Sequence, residues 1–377
     1  MLIQHIRLEN WKNFRSVDLP LQRRVFVVGA NASGKSNLLD AIRFLRDIAT
    51  PEGGFQRAVT SRGGVSQIRC LHARQQPNVA LEVHLNLEGR IWLYRIEFAQ
   101  NNQRQALVRR ERVELDGKVI LDRPDDDDEE DQSRLTQTHL EQVIANKEFR
   151  DIAEFLAQVR YLHVIPQLIR ESDRVLSRVQ DPYGSDFLEQ IAQTQKKTLN
   201  ARLRKINEAL RVAVPQLKEL KLDRDERGVP HLKGMYEHWR PDAGWQSEEQ
   251  FSDGTLRLLG LLWAILDGNA PLLLEEPELS LHNAVVRLIP QMMNRVARKS
   301  SRQIILSTHS ADLLADEGID AREVVILEPE KNGTVARLAS SDEQIRLLLD
   351  AGEPIAEAIL PRTAPVEAAQ LALFGID

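Results

Sequence analysis

Apolar residues follow two rhythms along this chain, and the changes of rhythm mark out its elements. Leu81, Val83, Leu85 and Leu87 alternate with polar neighbours, and a second run goes from Ile91 and Leu93 to Arg95 and Glu97 after Glu88-Gly89. A period of two on either side of a glycine turn predicts a β-hairpin. Leu107 to Leu121 repeats the signal around Asp116-Gly117, so a patch of antiparallel sheet is expected, preceded by a first strand at Leu2 to Leu8. Elsewhere the spacing is helical. Phe187, Ile191, Leu199, Leu203, Ile206 and Leu210 form a stripe flanked by Lys and Arg, and Thr138 to Arg160 also reads as helix. Short apolar runs at 271–275, 303–307 and 323–328 are separated by helical stretches, the pattern of strands in a parallel sheet.

Another such run leads into chemistry. Arg24 to Val28 is followed by Gly29-Ala30-Asn31-Ala32-Ser33-Gly34-Lys35-Ser36-Asn37, and then by Leu38, Leu39, Ile42 and Leu45 at helical spacing as far as Ile48. Gly-x-x-x-x-Gly-Lys-Ser between a strand and a helix is a phosphate-binding loop. Its glycines let the backbone curl around a phosphate with the N–H groups turned inward, and the helix N-terminus stands behind them. Lys35 is expected to reach the β- and γ-phosphates, and the Ser36 hydroxyl to hold Mg²⁺. The sequence therefore predicts binding of ATP or GTP.

Further segments carry groups that would serve such a site. The run 270–276 has the form of a strand that delivers two acids at its end. Glu275 would orient Mg²⁺ through its water shell, and Glu276 would polarise the attacking water. Phe251-Ser252-Asp253-Gly254-Thr255 opens a helix at Leu256 to Leu266. Ser252 or Asp253 can cap that helix. The same N-terminus, with Ser252 and Gly254, can instead meet the γ-phosphate of another protomer's nucleotide. Leu306-Ser307-Thr308-His309-Ser310 ends an apolar run, and His309 there can hydrogen-bond a γ-phosphate.

Composition narrows the setting. Fifty Lys and Arg against 56 Asp and Glu give a net charge of −6, so any DNA contact must come from local patches. Lys196, Lys197, Arg202, Arg204 and Lys205 form one such patch, and Arg104, Arg109, Arg110 and Arg112 another. The longest apolar stretch, Leu256 to Leu266, is interrupted by Arg257 and falls short of a membrane span. The start of the chain lacks a signal-peptide pattern, and a lone cysteine, Cys70, excludes an internal disulfide. A cytoplasmic protein with no membrane partner is expected. Asp122 to Asp131 is a block of mostly like charge that should stay solvated and mobile.

Taken in order, the phosphate loop, Phe-Ser-Asp-Gly-Thr, Leu-Leu-Leu-Glu-Glu-Pro-Glu-Leu-Ser-Leu-His and Ser-Thr-His-Ser resemble the motif series of ABC-type ATPase heads of the SMC, RecF and OLD group. The opening Ile6-Arg7-Leu8-Glu9-Asn10-Trp11-Lys12-Asn13-Phe14-Arg15 is similar to the start of that group. The resemblance makes Gly29 to Asn37 the Walker A segment, Ser252 to Thr255 the signature, Leu272 to Glu276 Walker B, Ser280-Leu281-His282 the D-loop and His309 the switch histidine. It implies that Arg15 reaches the nucleotide, and it leaves Gln67 and Gln167 as alternatives for the Gln loop. Glu275 stands where the family usually has Asp.

The implied fold is an α/β P-loop NTPase of ABC-head type, with a mainly parallel sheet, an antiparallel β subdomain and a helical insertion. Its expected parts are 1–121 (Walker A and the β subdomain), 122–137 (an acidic flexible loop), 138–250 (a mainly helical insertion) and 251–377 (signature, Walker B and switch histidine). The chain lacks the long coiled coils of SMC relatives, and no TOPRIM-type nuclease pattern follows His309. It looks like the compact AAA-type ATPases of bacterial defence operons, which act beside a separate nuclease or other effector. The expected activity is ATP binding and hydrolysis with Mg²⁺ by a homodimer that sandwiches two ATP molecules. The alternatives are a RecF-like repair ATPase gripping duplex DNA itself and, more remotely, the motor subunit of a transporter.

Overall fold

The computed structural model describes residues 1–72, 76–171, 183–240 and 244–363. In chain order, β1 (Leu2–Trp11) and β2 (Phe14–Pro20) precede β3 (Arg24–Gly29) and the helix Lys35–Ala49. Next come β4 (Val79–Leu87), β5 (Arg90–Gln100), β6 (Ala106–Leu115), β7 (Lys118–Arg123) and β8 (Arg160–Leu162). The helix Lys196–Ala213 leads to β9 (Leu217–Arg224), β10 (Pro230–Tyr236) and β11 (Trp245–Ser247). The helix Asp253–Leu266 is followed by β12 (Leu272–Glu275), β13 (Ile304–Thr308), β14 (Val324–Glu330) and β15 (Gly333–Leu338). Two compact units result. One is Met1–Arg160, Asn269–Leu273 and Asn294–Asp377; the other is Tyr161–Gly268 and Leu274–Met293.

In the first unit, an antiparallel sheet runs in the order β2-β1-β4-β5-β6-β7. Leu81, Val83 and Leu85 are fully buried, while Glu82 and His84 lie on the other face. There Arg95 bridges Glu97 at 2.6 Å, Glu82 at 3.0 Å and Glu9 at 3.3 Å. Glu88, Gly89, Asp116 and Gly117 all have positive φ, as tight hairpin turns require when their twist matches that of the strands. A second sheet is mainly parallel. Its β3 lies between β13 and β14, both parallel to it, and β15 is antiparallel beyond β14. Val25, Phe26, Val27 and Val28 are at most 2% exposed, because a parallel strand covered on both faces needs an unbroken apolar run. Burying each of these side chains stabilises by about 1.5–3 kcal/mol before chain entropy is counted. β12 and β8 continue the sheet order past β13. Within the first unit, the Leu272 N–H reaches the Gln303 carbonyl and the Arg160 N–H the Pro271 carbonyl, each at 2.9 Å.

Most of the acidic block is solvated, as expected, but part of it is helix and not loop. Asp126–Glu130 is a short helix capped by Asp125, whose side chain accepts from the Asp128 N–H at 3.0 Å. The Arg123 side chain, wholly buried, donates to Asp128 at 2.6 and 2.8 Å and to Glu111 at 3.3 Å. Burial alone would raise the Asp128 carboxyl; its hydrogen bonds to Arg123 override that and hold it at about 2. Counting charge along the block could not show that Arg123 and Arg134 pair with Asp128 and Asp127 and so offset part of it. Glu111 also accepts from the His139 and Leu140 N–H groups at 2.7 and 3.1 Å. The backbone there is irregular, and the helix expected over Thr138 to Arg160 is confined to Arg150–Ala157.

In the second unit, the expected stripe is buried on Lys196–Ala213 through Leu199, Leu203, Ile206 and Leu210. These join Leu217, Leu220, Leu232, Phe251, Leu256 and Trp263 in one core. The insertion is nevertheless mixed, because β9, β10 and β11 form an antiparallel sheet in the order β11-β10-β9. β9 buries Leu217 and Leu220, three residues apart, so its sequence keeps a helix-like spacing. The terminal segment singled out from residue 361 is described only to Thr363; the rest lies outside the described residues.

Candidate nucleotide site

β3 ends at Gly29, the helix begins at Lys35, and the intervening loop has the form of a phosphate cradle. Gly34 caps the helix with φ +102° and Ala32 stands at φ +62°. The Lys35 ammonium folds back over the loop and donates to the Gly29 and Ala30 carbonyls at 2.9 and 3.1 Å. Asn31, Ala32 and Ser36 are exposed, and Ser33 and Lys35 are buried. The buried Ser33 hydroxyl has no hydrogen-bond partner among the described residues. A Cβ at Gly34 would lie 2.6 Å from Asn13 Oδ1, and one at Gly29 would lie 2.8 Å from the Leu327 carbonyl. Bare backbone, an orphaned hydroxyl and a cation at the loop's mouth fit a phosphate group.

Behind the loop sit residues that the sequence gave little reason to single out. The Asn13 amide donates to the Ser33 carbonyl and accepts from the Asn37 amide, both at 2.8 Å. The Trp11 indole N–H donates to the Asn37 carbonyl at 2.8 Å. Their only signal was membership of the quoted opening segment. Parallel pairing sets Thr308, the last residue of β13, opposite Val28, and the exposed His309 follows it in the chain. Arg15 is exposed on β2, and a Cβ at Gly333 would lie 3.5 Å from its backbone nitrogen. Gln67 is exposed on the short helix Val65–Ile68.

The remaining motif residues belong to the second unit. Glu275 and Glu276 end β12 and follow it, half-buried. Glu276 and Ser280 have φ of +43° and +61°, left-handed backbone of the kind that collects at functional turns, at about 1–3 kcal/mol each. The Tyr161 hydroxyl donates to Glu275 Oε2, and His163 Nδ1 lies 3.3 Å from the Glu275 carbonyl. Tyr161 thus braces the carboxylate whose extra methylene departs from the usual Asp. Arg257 and both glutamates line a cleft of about 10 Å³ with Leu162, Leu261 and Leu274, room for about one water. Burial depresses the Arg257 guanidinium, and the Asp253 and Glu276 carboxylates oppose that shift.

Ser252 does cap its helix, since Oγ accepts from the Thr255 N–H at 3.2 Å. The cap leaves the side chain exposed. A Cβ at Gly254 would lie 2.6 Å from the Ser280 carbonyl, so the backbone at the start of this helix closely approaches the turn after β12. Arg170 donates to the Phe251 carbonyl and to Asp253, both at 2.6 Å, and fixes the chain where it enters that helix. Gln167 is exposed on the same short helix as Arg170.

Both candidate DNA patches lose members to internal pairs. Arg110 pairs with Asp122 at 3.0 Å, and Arg112 with Glu114 at 2.6 Å and Asp122 at 2.5 Å. Arg202 pairs with Asp267 at 2.8 Å and stacks on Trp263. Among the described residues there is no group of three or more His, Cys, Asp or Glu that could hold a metal ion. Mg²⁺ on a hydroxyl, a carboxylate, phosphate oxygens and water needs no such cluster. No helix among the described residues is long and apolar enough to cross a membrane.

Fold and phosphate loop together define a P-loop NTPase of the ABC-head class. Residues 24–316 match the family described as "AAA domain, putative AbiEii toxin, Type IV TA system", and the chain belongs to that family. It is 30% identical over 113 residues to the DNA replication and repair protein RecF of Lactobacillus acidophilus. That match takes in 26% of this chain and 28% of the relative's length. An SMC head bound to the C-winged helix domain of ScpA superimposes with a TM-score of 0.59 at 15% identity, over 89% of this chain and 98% of that one. An SMC head with an extended coiled coil, bound to the C-terminal domain of ScpA derived from Pyrococcus furiosus, gives 0.53 at 14% identity, over 93% and 100%. At such identities the likeness is one of fold.

Proposed function

We propose that this chain binds and hydrolyses ATP as a dimerising switch, and that it drives a separate effector in a prokaryotic defence or DNA-processing system. The observation that carries the reading is the phosphate loop, with Lys35 folded over bare backbone at Gly29 and Ala30. In this reading Lys35 holds the β- and γ-phosphates, and Ser36 and Glu275 hold Mg²⁺. The bound ion would neutralise phosphate charge. Glu276 accepts a proton from the attacking water, and His309, just after β13, reports the γ-phosphate. Arg15 supplies a further cation from the opening segment. Ser252 and Gly254 of one head close on the nucleotide of its partner, so the paired form binds ATP better than separate heads and ATP shifts the equilibrium toward it.

Glu276→Gln tests this. The amide cannot take up the water's proton, so hydrolysis should slow by about a hundredfold or more while ATP still binds. The variant should then accumulate as an ATP-bound dimer by light scattering. A monomer at saturating ATP would refute the sandwich, and unchanged turnover would refute the role of Glu276.

The partial match to RecF supports a second reading, in which the chain grips duplex DNA directly. The internal pairing of Arg110, Arg112 and Arg202 weighs against it. DNA affinity that falls steeply with salt would favour it.

A further inference from the structure

Three segments of the first unit meet at the turn between β1 and β2. The Asn13 side-chain amide donates to the Ser33 carbonyl at 2.8 Å and to Thr334 Oγ1 at 2.7 Å. Its oxygen accepts from the Asn37 amide at 2.8 Å. The Asn13 backbone carbonyl accepts from the Thr334 N–H at 2.8 Å. Both amide protons and one oxygen lone pair are therefore committed, a nearly full use of what an asparagine offers. Two glycines make room for it. A Cβ at Gly34 would collide with the Asn13 amide, and one at Gly333, φ +113°, would lie 2.9 Å from the Asn13 carbonyl.

The peptide plane gives these contacts a consequence. In a trans peptide the carbonyl of one residue and the N–H of the next point in opposite directions. Holding the Ser33 carbonyl toward Asn13 therefore turns the Gly34 N–H away from Asn13, leaving it to meet a phosphate oxygen on the other side if the loop holds nucleotide. The Asn37 contacts with Asn13 and with the Trp11 indole tie down the first turn of the following helix. We propose that Asn13 is a positioning residue that presets the phosphate loop for nucleotide, and that Thr334 on the β14–β15 hairpin holds Asn13 in that orientation. The inference rests on the reading of the loop as an ATP site.

Its test is a titration of the purified chain with a fluorescent ATP analogue, alongside steady-state ATPase assays and thermal melts without nucleotide. Asn13→Ala should raise the Kd and KM for ATP by about tenfold or more, because the unbound loop must be ordered by the ligand itself. Turnover at saturating ATP should change by less than about threefold, since Asn13 touches no reacting atom. Thr334→Val keeps the side-chain shape and removes one hydrogen bond; it should weaken ATP binding by about threefold. If the wild type shows no saturable binding that Lys35→Ala removes, the nucleotide reading fails and this inference falls with it. If the wild type binds, Lys35→Ala does not, and Asn13→Ala matches the wild type, only the positioning role is overturned. A merely structural role would lower the melting temperature and leave the affinity of the folded protein unchanged. Should Asn13→Ala fail to fold, Thr334→Val decides, and wild-type affinity there overturns the proposal.

Discussion

Replacing Arg123 by Met should destabilise the first unit more than any change at its surface, and the size of the loss can be argued from its contacts. The Arg123 side chain is wholly buried, as are those of Glu111 and Asp128. It also donates to the carbonyls of Gln137 and Arg134 at 3.0 and 3.3 Å. Met preserves most of the apolar stem, so the loss is mainly that of charge and hydrogen bonds. Removing one partner from a buried ion pair costs about 3–5 kcal/mol, because the remaining charge stays desolvated. Arg134, 3.2 Å from Asp128, keeps that carboxylate partly paired and points to the lower end, about 3 kcal/mol. Glu111 keeps only neutral donors, from Tyr94, His139 and Leu140.

The same contacts fix the pH dependence. Asp128 titrates at about 2 in the folded wild type against 3.8 for an ordinary Asp. Its contribution is present above about 3.8 and is lost as the pH falls toward 2. Without Arg123 the buried Asp128 carboxylate favours its neutral form and takes up a proton at higher pH. The gap between variant and wild type should therefore narrow between pH 7 and pH 4. Urea unfolding at both pH values measures it. A gap below about 1 kcal/mol at pH 7, or one that does not shrink on acidification, would refute the reasoning.

Two further outcomes follow. Glu141 accepts from the Phe55 N–H, and burial pushes its carboxyl from 4.5 up to about 7, so its ionisation opposes folding and the wild type loses stability as pH rises through that window. Glu141→Gln should match the wild type near pH 5 and exceed it by about 1 kcal/mol at pH 8 in urea unfolding, allowing for partial exposure; a pH-independent difference would count against it. Ser252→Arg should bind ATP normally yet lose hydrolysis, and mixing it with Lys35→Ala should restore part of the activity through one intact composite site. Absence of recovery in demonstrated heterodimers, together with weakened binding by Ser252→Arg alone, would leave Ser252 as no more than the helix cap its bond to Thr255 already makes it.

Local signals were sufficient for much of this molecule. A glycine turn between alternating runs can be met only by a hairpin, and Glu88-Gly89 and Asp116-Gly117 adopt the positive φ that this requires. An unbroken apolar run ending in Gly-x-x-x-x-Gly-Lys-Ser left β3, the phosphate loop and its helix little alternative. Positions that depend on distant partners were not legible. The acid block gave no sign that Arg123 and Asp128 are buried together, and β9 gave no strand signal because its inward leucines are three apart. Asn13 had only its place in the opening segment, and Thr334, Tyr161 and Arg170 carry no sequence signature, since an amide, a hydroxyl or a guanidinium gains its role only from the group it meets. Asn13 and Thr334 are 321 residues apart, and Tyr161 and Glu275 are 114 apart. Hydrophobic period and turn chemistry act over a few residues and are written in the chain; hydrogen bonds across such separations exist only once the sheets have formed and brought both ends together.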